Sequence, residues 1–257
     1  GRWLLPLLGA LALVTAPSPA SAQRTEDIGR QMENEFGVFT DRTHEGAQLN
    51  DQLARVVERI VDGVNKDRSG KPFQLRSAKI LGGKNPKLDQ VINAFALPDG
   101  RIYVSLGLIR AVQDSPNAED ELAFVVGHEV IHVKAKHGQR QQTEALKAGI
   151  AAILLGAVTR NKTAGTIAGA GAAAYTSSFS RKDEYSADRG GLIAMLRAGY
   201  NLDSAIDMMK RLKAKGEGQN RTINGWFGSH PLTENRVERL RKDIKKLRAG
   251  KTLEFDD

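Results

Sequence analysis

The sequence predicts an α+β fold that is mainly helical, with a small, mainly antiparallel sheet packed on one central helix. Apolar residues recur at helical spacing on both sides of the middle of the chain. Extended apolar runs are confined to residues 73–104, where short loops join them. The composition, 40% hydrophobic and 26% charged over 257 residues, is that of a globular protein long enough to bury a core.

Residues 1–22 have the pattern of a secretory signal peptide. Arg2 precedes an apolar run that ends at Val14, and the small residues Ala20 and Ala22 precede a predicted cleavage site before Gln23. The run is too short for a stable membrane span, so an uncleaved anchor is the weaker alternative. We therefore expect export, to the periplasm of a bacterium, and a single domain over residues 23–257.

The first predicted elements are two helices, over residues 26–39 and 51–65, with His44 in the turn between them. Strands follow at 73–76 and 79–81. The runs 91–97 and 101–104 flank a Pro-Asp-Gly turn, which indicates a β-hairpin. The four residues Asn93, Ala94, Phe95 and Ala96 lie in the first arm of that hairpin. This sheet either only packs on the central helix, or offers an edge strand to an extended peptide.

Helices are predicted again after the hairpin. Residues 106–112 form a short helix, and a long helix opens after Asn117. Residues 145–180 are rich in Ala and Gly and read as a helical hairpin, which either packs within the domain or inserts into a membrane. Helices return from Asp183, and a terminal helix spans residues 232–247.

The long helix carries the motif His-Glu-x-x-His. His128 and His132 are four residues apart, so they project from one helix face and can share one metal ion. Glu129 is rotated from that face by about 100°, where it can reach a water on the ion as a general base. Gly127 weakens the helix, and its expected benefit is room for a close neighbour beside the metal.

A catalytic zinc site needs a third protein ligand. The arrangement with a third His after a Gly is excluded, because Ala135 and Gly138 occupy those positions. His137, nine residues after His128, is predicted to point to the opposite side of the helix, and we interpret it as a capping or supporting residue near the helix end. Glu184 and Asp188 lie one turn apart on a later helix, so Glu184 can ligate zinc while Asp188 holds a ligand imidazole.

Composition limits the other chemistry. The chain has no cysteine, so any metal is held by His and carboxylates. The net charge of +8 comes from Lys and Arg scattered among acids on helices, so we expect no nucleic-acid partner. Attraction to an anionic membrane surface stays open.

Four ordered segments resemble the gluzincin family of zinc metallopeptidases that includes the CAAX prenyl protease, the HtpX-type and the Oma-type proteases. They are residues 93–100, 128–138, 184–189 and 229–236, and the resemblance covers about residues 45–245. It implies a zincin-like core, one Zn²⁺ per chain and a polypeptide substrate along residues 93–96. It also implies that His230 lies near the zinc, where it either donates to the oxyanion or fills the open zinc position.

From these observations we predict a zinc-dependent endopeptidase that cleaves extended or misfolded polypeptides of the cell envelope. Zinc is expected on His128, His132 and Glu184, with Glu129 and His230 as catalytic groups. Asp188 is expected to accept the N–H of a ligand imidazole. The alternative is a non-proteolytic or latent envelope chaperone or assembly factor with the same fold. Peripheral association with a membrane or with assembly machinery is compatible with either function, and the sequence does not predict an oligomeric state.

Overall fold

The computed structural model describes residues 19–40, 43–66, 71–86, 88–140, 179–218, 226, 230–231 and 233–254. Within these ranges the chain is mainly helical with one small sheet, which confirms the predicted α+β class. The signal-like segment up to residue 18 and the predicted hairpin up to residue 178 lie outside the described residues, so both stay predictions. Among the helices that are described, none is both long and apolar enough to cross a membrane.

The helices and strands follow the predicted order. The helices are α1 (Pro19–Phe36), α2 (His44–Asn65), α3 (Leu106–Gln113), α4 (Ala118–Lys134), α5 (His137–Arg140), α6 (Arg181–Ala198), α7 (Asp203–Gly218) and α8 (Glu234–Arg248). The strands are β1 (Ser77–Leu81), β2 (Ala94–Ala96) and β3 (Arg101–Ser105), with a 3₁₀ turn at Leu88–Gln90 between β1 and β2.

The first two helices differ from their predicted bounds. Helix α1 ends three residues early because Gly37 takes the left-handed conformation, with φ of 81°, that closes many helices. Helix α2 begins at His44, which was predicted to lie in a turn. The Thr43 side chain accepts a hydrogen bond from the Gly46 N–H and so starts the helix seven residues earlier than the apolar stripe indicated.

The sheet is mixed rather than mainly antiparallel. β2 and β3 form the predicted antiparallel hairpin, but β1 pairs with the other edge of β3 in parallel, giving the order β1-β3-β2. The inference that short loops join antiparallel neighbours is correct only for β2 and β3. Residues 82–93 carry the chain from β1 past β3 to the far edge, which is the kind of long connection that parallel neighbours need. The predicted strand at 73–76 is extended chain that precedes β1.

Both faces of the sheet are covered. On one face Ile80, Ile102 and Val104 join the main core, where α4 packs against α2, α6 and α7. On the other face Phe95 and Tyr103 form a second cluster with Met32 and Phe36 of α1 and with Phe179. Alternate residues of each strand point to opposite faces, so the two clusters share one sheet. Helix α4 is therefore buried on several sides.

Helices α4 and α6 cross at glycines. A Cβ placed on Gly127 would lie 3.2 Å from the Cα of Gly191, and one on Gly191 would lie 3.1 Å from the backbone nitrogen of His128. The room predicted for a neighbour beside Gly127 is thus occupied by the backbone of α6. This contact brings the acidic end of α6 to the motif on α4.

Candidate metal centre

The motif residues of α4 are fully enclosed. His128 and Glu129 have no exposed surface, and His132 retains 2%. The Nε2 atoms of His128 and His132 lie 3.0 Å apart, because residues one helical turn apart share a face. Two imidazoles held this closely in a buried site can serve one ion.

Helix α6 supplies a carboxylate to the same point. Ser180 and Asp183 form a capping box that begins the helix, and Glu184 follows in its first turn. The Oε1 atom of Glu184 lies 3.4 Å from Nε2 of His132, and its Oε2 atom lies 3.6 Å from Nε2 of His128. The sequence-predicted third ligand therefore lies with the first two.

His230 lies at the fourth corner. Its Nδ1 atom is 2.9 Å from Oε1 of Glu184 and 3.1 Å from Nε2 of His128. The four candidate ligand atoms, from His128, His132, Glu184 and His230, all lie within 4.8 Å of one another. The edge of a tetrahedral site with zinc–nitrogen distances near 2.0–2.1 Å is about 3.3 Å. The observed spacings fit such a site.

Two further observations fit a divalent cation. Oε2 of Glu129 is buried without a hydrogen bond from any described residue, which is costly unless something else satisfies it. Three buried carboxyl groups, those of Glu129, Glu184 and Asp188, lie around one buried guanidinium, that of Arg236, and a divalent ion would offset this excess of acidic groups.

Asp188 and Arg236 form a second layer behind the ligands. Oδ1 of Asp188 lies 3.0 Å from Nδ1 of His128, as predicted for a residue that orients a ligand imidazole. Arg236 donates from Nε and Nη2 to the two oxygens of Asp188, both at 2.8 Å, and its Nη1 is 2.7 Å from Oε2 of Glu184. The same Nη1 donates to the backbone carbonyl of His230 at 3.1 Å. The buried guanidinium of Arg236 thus links the carboxylates of Glu184 and Asp188 to the backbone of His230.

Burial and neighbouring charges set the protonation states. Burial lowers the pKa of His128 and of His132 to about 4, against the opposing attraction of Glu184. Burial alone would raise the pKa of Glu184, but the charges of His230 and Arg236 outweigh it and hold that pKa well below its usual range. At neutral pH His128 and His132 are therefore neutral and Glu184 is ionised, which are the forms in which these side chains can bind a metal ion.

The general-base candidate is held by Trp226. The indole Nε1–H donates to Oε1 of Glu129 at 3.3 Å, and Nε2 of His230 lies 3.3 Å from the same oxygen. Oε2 of Glu129 is the oxygen left for a water. The backbone carbonyl of Trp226 also accepts a hydrogen bond from the backbone N–H of His230 at 2.8 Å, so this one residue contacts both Glu129 and His230.

Sequence reasoning missed the roles of Trp226, Phe179 and Arg236. Phe179 stacks on the His132 ring with centroids 3.9 Å apart and so covers one face of that ring. Arg236 could have been found, since it falls on the same helical stripe as the buried Leu240 and Ile244. Trp226 also left a signal, as a large aromatic in a polar, glycine-containing stretch.

The residues predicted to bind substrate lie beside this site. Ala94, Phe95 and Ala96 form β2, an edge strand of the described sheet, and Asn93 immediately precedes it. A small cavity of about 10 Å³, roughly the size of one water molecule, lies between the end of β2 and His132. It is lined by Ala96, Leu97, Pro98, His132, Val133, Lys136, Gly138 and Phe179.

Comparison with known proteins agrees with this geometry. Residues 47–244 match the family described as Peptidase family M48. The chain belongs to that family. It is 30% identical over 152 residues to the mitochondrial metalloendopeptidase OMA1 of Arabidopsis thaliana, covering 59% of this chain and 29% of the relative.

Two bacterial relatives extend the comparison. The metalloprotease LoiP of Escherichia coli is 24% identical over 198 residues, 76% of this chain and 72% of LoiP. The beta-barrel assembly-enhancing protease of Escherichia coli is 25% identical over 166 residues, 61% of this chain and 33% of the relative. The chain spans less than half the length of the OMA1 and beta-barrel assembly-enhancing relatives.

Proposed function

We propose that this protein is a zinc-dependent endopeptidase whose ion is held by His128, His132 and Glu184. The observation that carries the proposal is the convergence of these three ligand atoms, buried, beside the carboxylate of Glu129. Family membership supports a metallopeptidase. When bound, zinc supplies a Lewis acid that polarises the scissile carbonyl and acidifies a coordinated water.

The chain's own residues carry the proton transfers. Glu129 accepts the proton of the attacking water through Oε2, while Trp226 holds Oε1 and keeps the carboxylate in one orientation. The same carboxyl then delivers the proton to the leaving amine. Asp188 accepts the Nδ1–H of His128, so that Nε2 of that ring keeps its lone pair for the ion.

We further propose that His230 closes the site at rest. Its Nδ1 atom fills the corner of the ligand tetrahedron that a catalytic zinc keeps open for water and substrate. Of the two roles predicted for His230, this geometry favours the closing role over donation to an oxyanion.

The proposed substrate is an extended or misfolded polypeptide that adds to β2. The backbone of Asn93 accepts from Ser105 and that of Leu97 donates to Arg101. By the two-residue period of an antiparallel pair, the backbone groups of Ala94 and Ala96 face away from β3, toward the outer edge of the sheet. A peptide pairing there would run alongside the cavity next to His132.

We place the protein, as part of the proposal, in the cell envelope after export. The signal-like residues 1–22 support this location. One bacterial relative has a name that refers to beta-barrel assembly, so envelope assembly machinery and the membrane surface are the proposed settings. The rival function is a latent, non-proteolytic assembly factor, and the observation in its favour is the closed position of His230.

Casein cleavage by purified protein tests the activity. Glu129→Gln should bind one zinc per chain yet lose cleavage by about 10²–10⁴-fold, because the proton acceptor is gone. The matched control is Glu238→Gln on the exposed face of α8, which should retain wild-type rates. Full activity in Glu129→Gln would refute the assigned base.

Two more variants separate the rival functions. Glu184→Ala should lose stoichiometric zinc, and unchanged zinc content there would move the third ligand elsewhere. His230→Ala should raise cleavage if this residue closes the site. A large loss would instead assign it to the oxyanion, and inactivity of both wild type and His230→Ala with zinc bound would favour the assembly factor.

A further inference from the structure

We infer that His137 is a positioning residue that fixes the tautomer and orientation of the ligand His132. This inference rests on the proposed zinc site and adds a residue to it. His137 is 1% exposed, and its Nδ1 atom lies 2.9 Å from Nδ1 of His132. A histidine buried against the far side of a ligand ring acts on how that ring is held.

Proton accounting determines which atom donates. Nε2 of His132 faces the other ligand atoms, so its lone pair belongs to the ion and the ring's proton sits on Nδ1. That Nδ1–H therefore donates to Nδ1 of His137, which must be unprotonated. The remaining proton of a neutral His137 is then on Nε2. That atom lies 3.6 Å from Oδ1 of Asp183, an electrostatic contact that favours the same tautomer.

The backbone accepts strain to bring His137 there. Helix α4 ends at Lys134, and Lys136 adopts the left-handed conformation with φ of 55°, the one described non-glycine residue that does so. Such a conformation is unfavourable for a non-glycine residue, because its Cβ approaches the following carbonyl oxygen. It reverses the chain so that α5 starts at His137, which turns back toward His132. A continued helix would have carried this side chain away from the ligand face.

The contact between His137 and Asp183 also connects α6, which carries Glu184, to the segment that follows α4. Oδ2 of Asp183 accepts hydrogen bonds from the backbone and hydroxyl of Ser180 in the capping box, and Glu184 is the next residue in the chain. Phe179 stacks on the face of the His132 ring. His132 is thus held on that face by Phe179 and at its Nδ1 atom by His137, and the support of one candidate ligand is built from the turn that carries another.

Three substitutions at His137 separate hydrogen bonding from packing. His137→Asn places a carbonyl oxygen at the position of the imidazole Nδ1, so it keeps an acceptor for His132. His137→Gln places its amide one atom farther out, and His137→Leu fills space without an acceptor. If the hydrogen bond matters, the zinc dissociation constant rises by about 10–100-fold for Leu and Gln. It stays close to wild type for Asn.

Zinc affinity is measured by competition with a chromophoric chelator, and the visible absorption of the Co²⁺-substituted protein reports ligand geometry. The Leu and Gln variants should change the Co²⁺ spectrum, and the Asn variant should reproduce that of wild type. Thr43→Ala is the control, because it weakens the cap of α2, a helix that carries no residue of the candidate metal site. It should lower the melting temperature and leave zinc affinity unchanged.

The outcomes are distinct. If Leu and Gln bind zinc as wild type does, or if Asn is the weakest of the three, His137 only fills space and the inference is wrong. If wild type itself binds no zinc, the proposed function fails and this inference fails with it. A wild type that binds zinc while the Leu and Gln variants alone lose affinity supports the positioning role.

Discussion

Replacement of Arg236 by Met should destabilise the metal-free protein more than any surface change. Arg236 is 1% exposed and contacts both oxygens of Asp188, Oε2 of Glu184 and the carbonyl of His230. Met matches most of the volume but leaves two carboxylates buried without their cation. Removal of one partner from a buried ion pair costs about 3–5 kcal/mol. The total stability of a domain is only about 5–15 kcal/mol.

The matched control is Arg248→Met. Arg248 forms an equally short ion pair, 2.6 Å from Asp203, but both side chains are more than half exposed. Solvent screens such a pair, and its loss should cost no more than about 1 kcal/mol. The two variants thus make the same chemical change in opposite environments.

The assay is urea unfolding followed by circular dichroism, with EDTA and then with excess zinc. With EDTA, Arg236→Met should lose about 3–5 kcal/mol relative to wild type. Zinc should recover part of the loss, because the ion replaces some of the missing positive charge and stabilises the folded state by binding to it. Equal losses in Arg236→Met and Arg248→Met would refute the electrostatic account of this cluster.

Two other predictions concern pH and packing. In EDTA the protein should lose stability as the pH falls from 7.5 to 5. The pKa values of His128 and His132 in the folded protein are about 4, below the value of about 6.5 in the unfolded chain. The unfolded chain therefore binds more protons over this range, which favours unfolding. The loss is about 2 kcal/mol for each of these two histidines at pH 5. His230 partly offsets the loss, because the charges of Glu184 and Glu129 outweigh its burial and raise its pKa. A urea midpoint that does not change with pH would contradict this prediction. Gly191→Ala should lower the free energy of unfolding by about 1–3 kcal/mol and weaken zinc binding, since the new methyl group meets the backbone of α4 at His128. Unchanged zinc affinity would show that the helices adjust without moving the ligands.

Periodicity and motif spacing were enough to predict most elements, but the sheet shows their limit. The hairpin of β2 and β3 follows from a local turn, and it was predicted correctly. The parallel pairing of β1 depends on where residues 82–93 carry the chain, which no local pattern records. His137 shows the same limit, because its direction depends on the left-handed Lys136 that ends α4.

The sequence by itself determined the chemistry of this protein. A helix places residues four apart on one face, so His128 and His132 are paired wherever α4 lies, and the absence of cysteine restricts the remaining ligands to His and carboxylates. The pattern around Glu184, and the family resemblance for His230, also named two distant groups of the site. Only the tertiary structure decided that Arg236 and Trp226 join them and how all four are placed. Glu184, His230, Arg236 and Trp226 meet at α4 because glycines let α6 approach and because buried charges need partners, and neither condition is visible in any single segment.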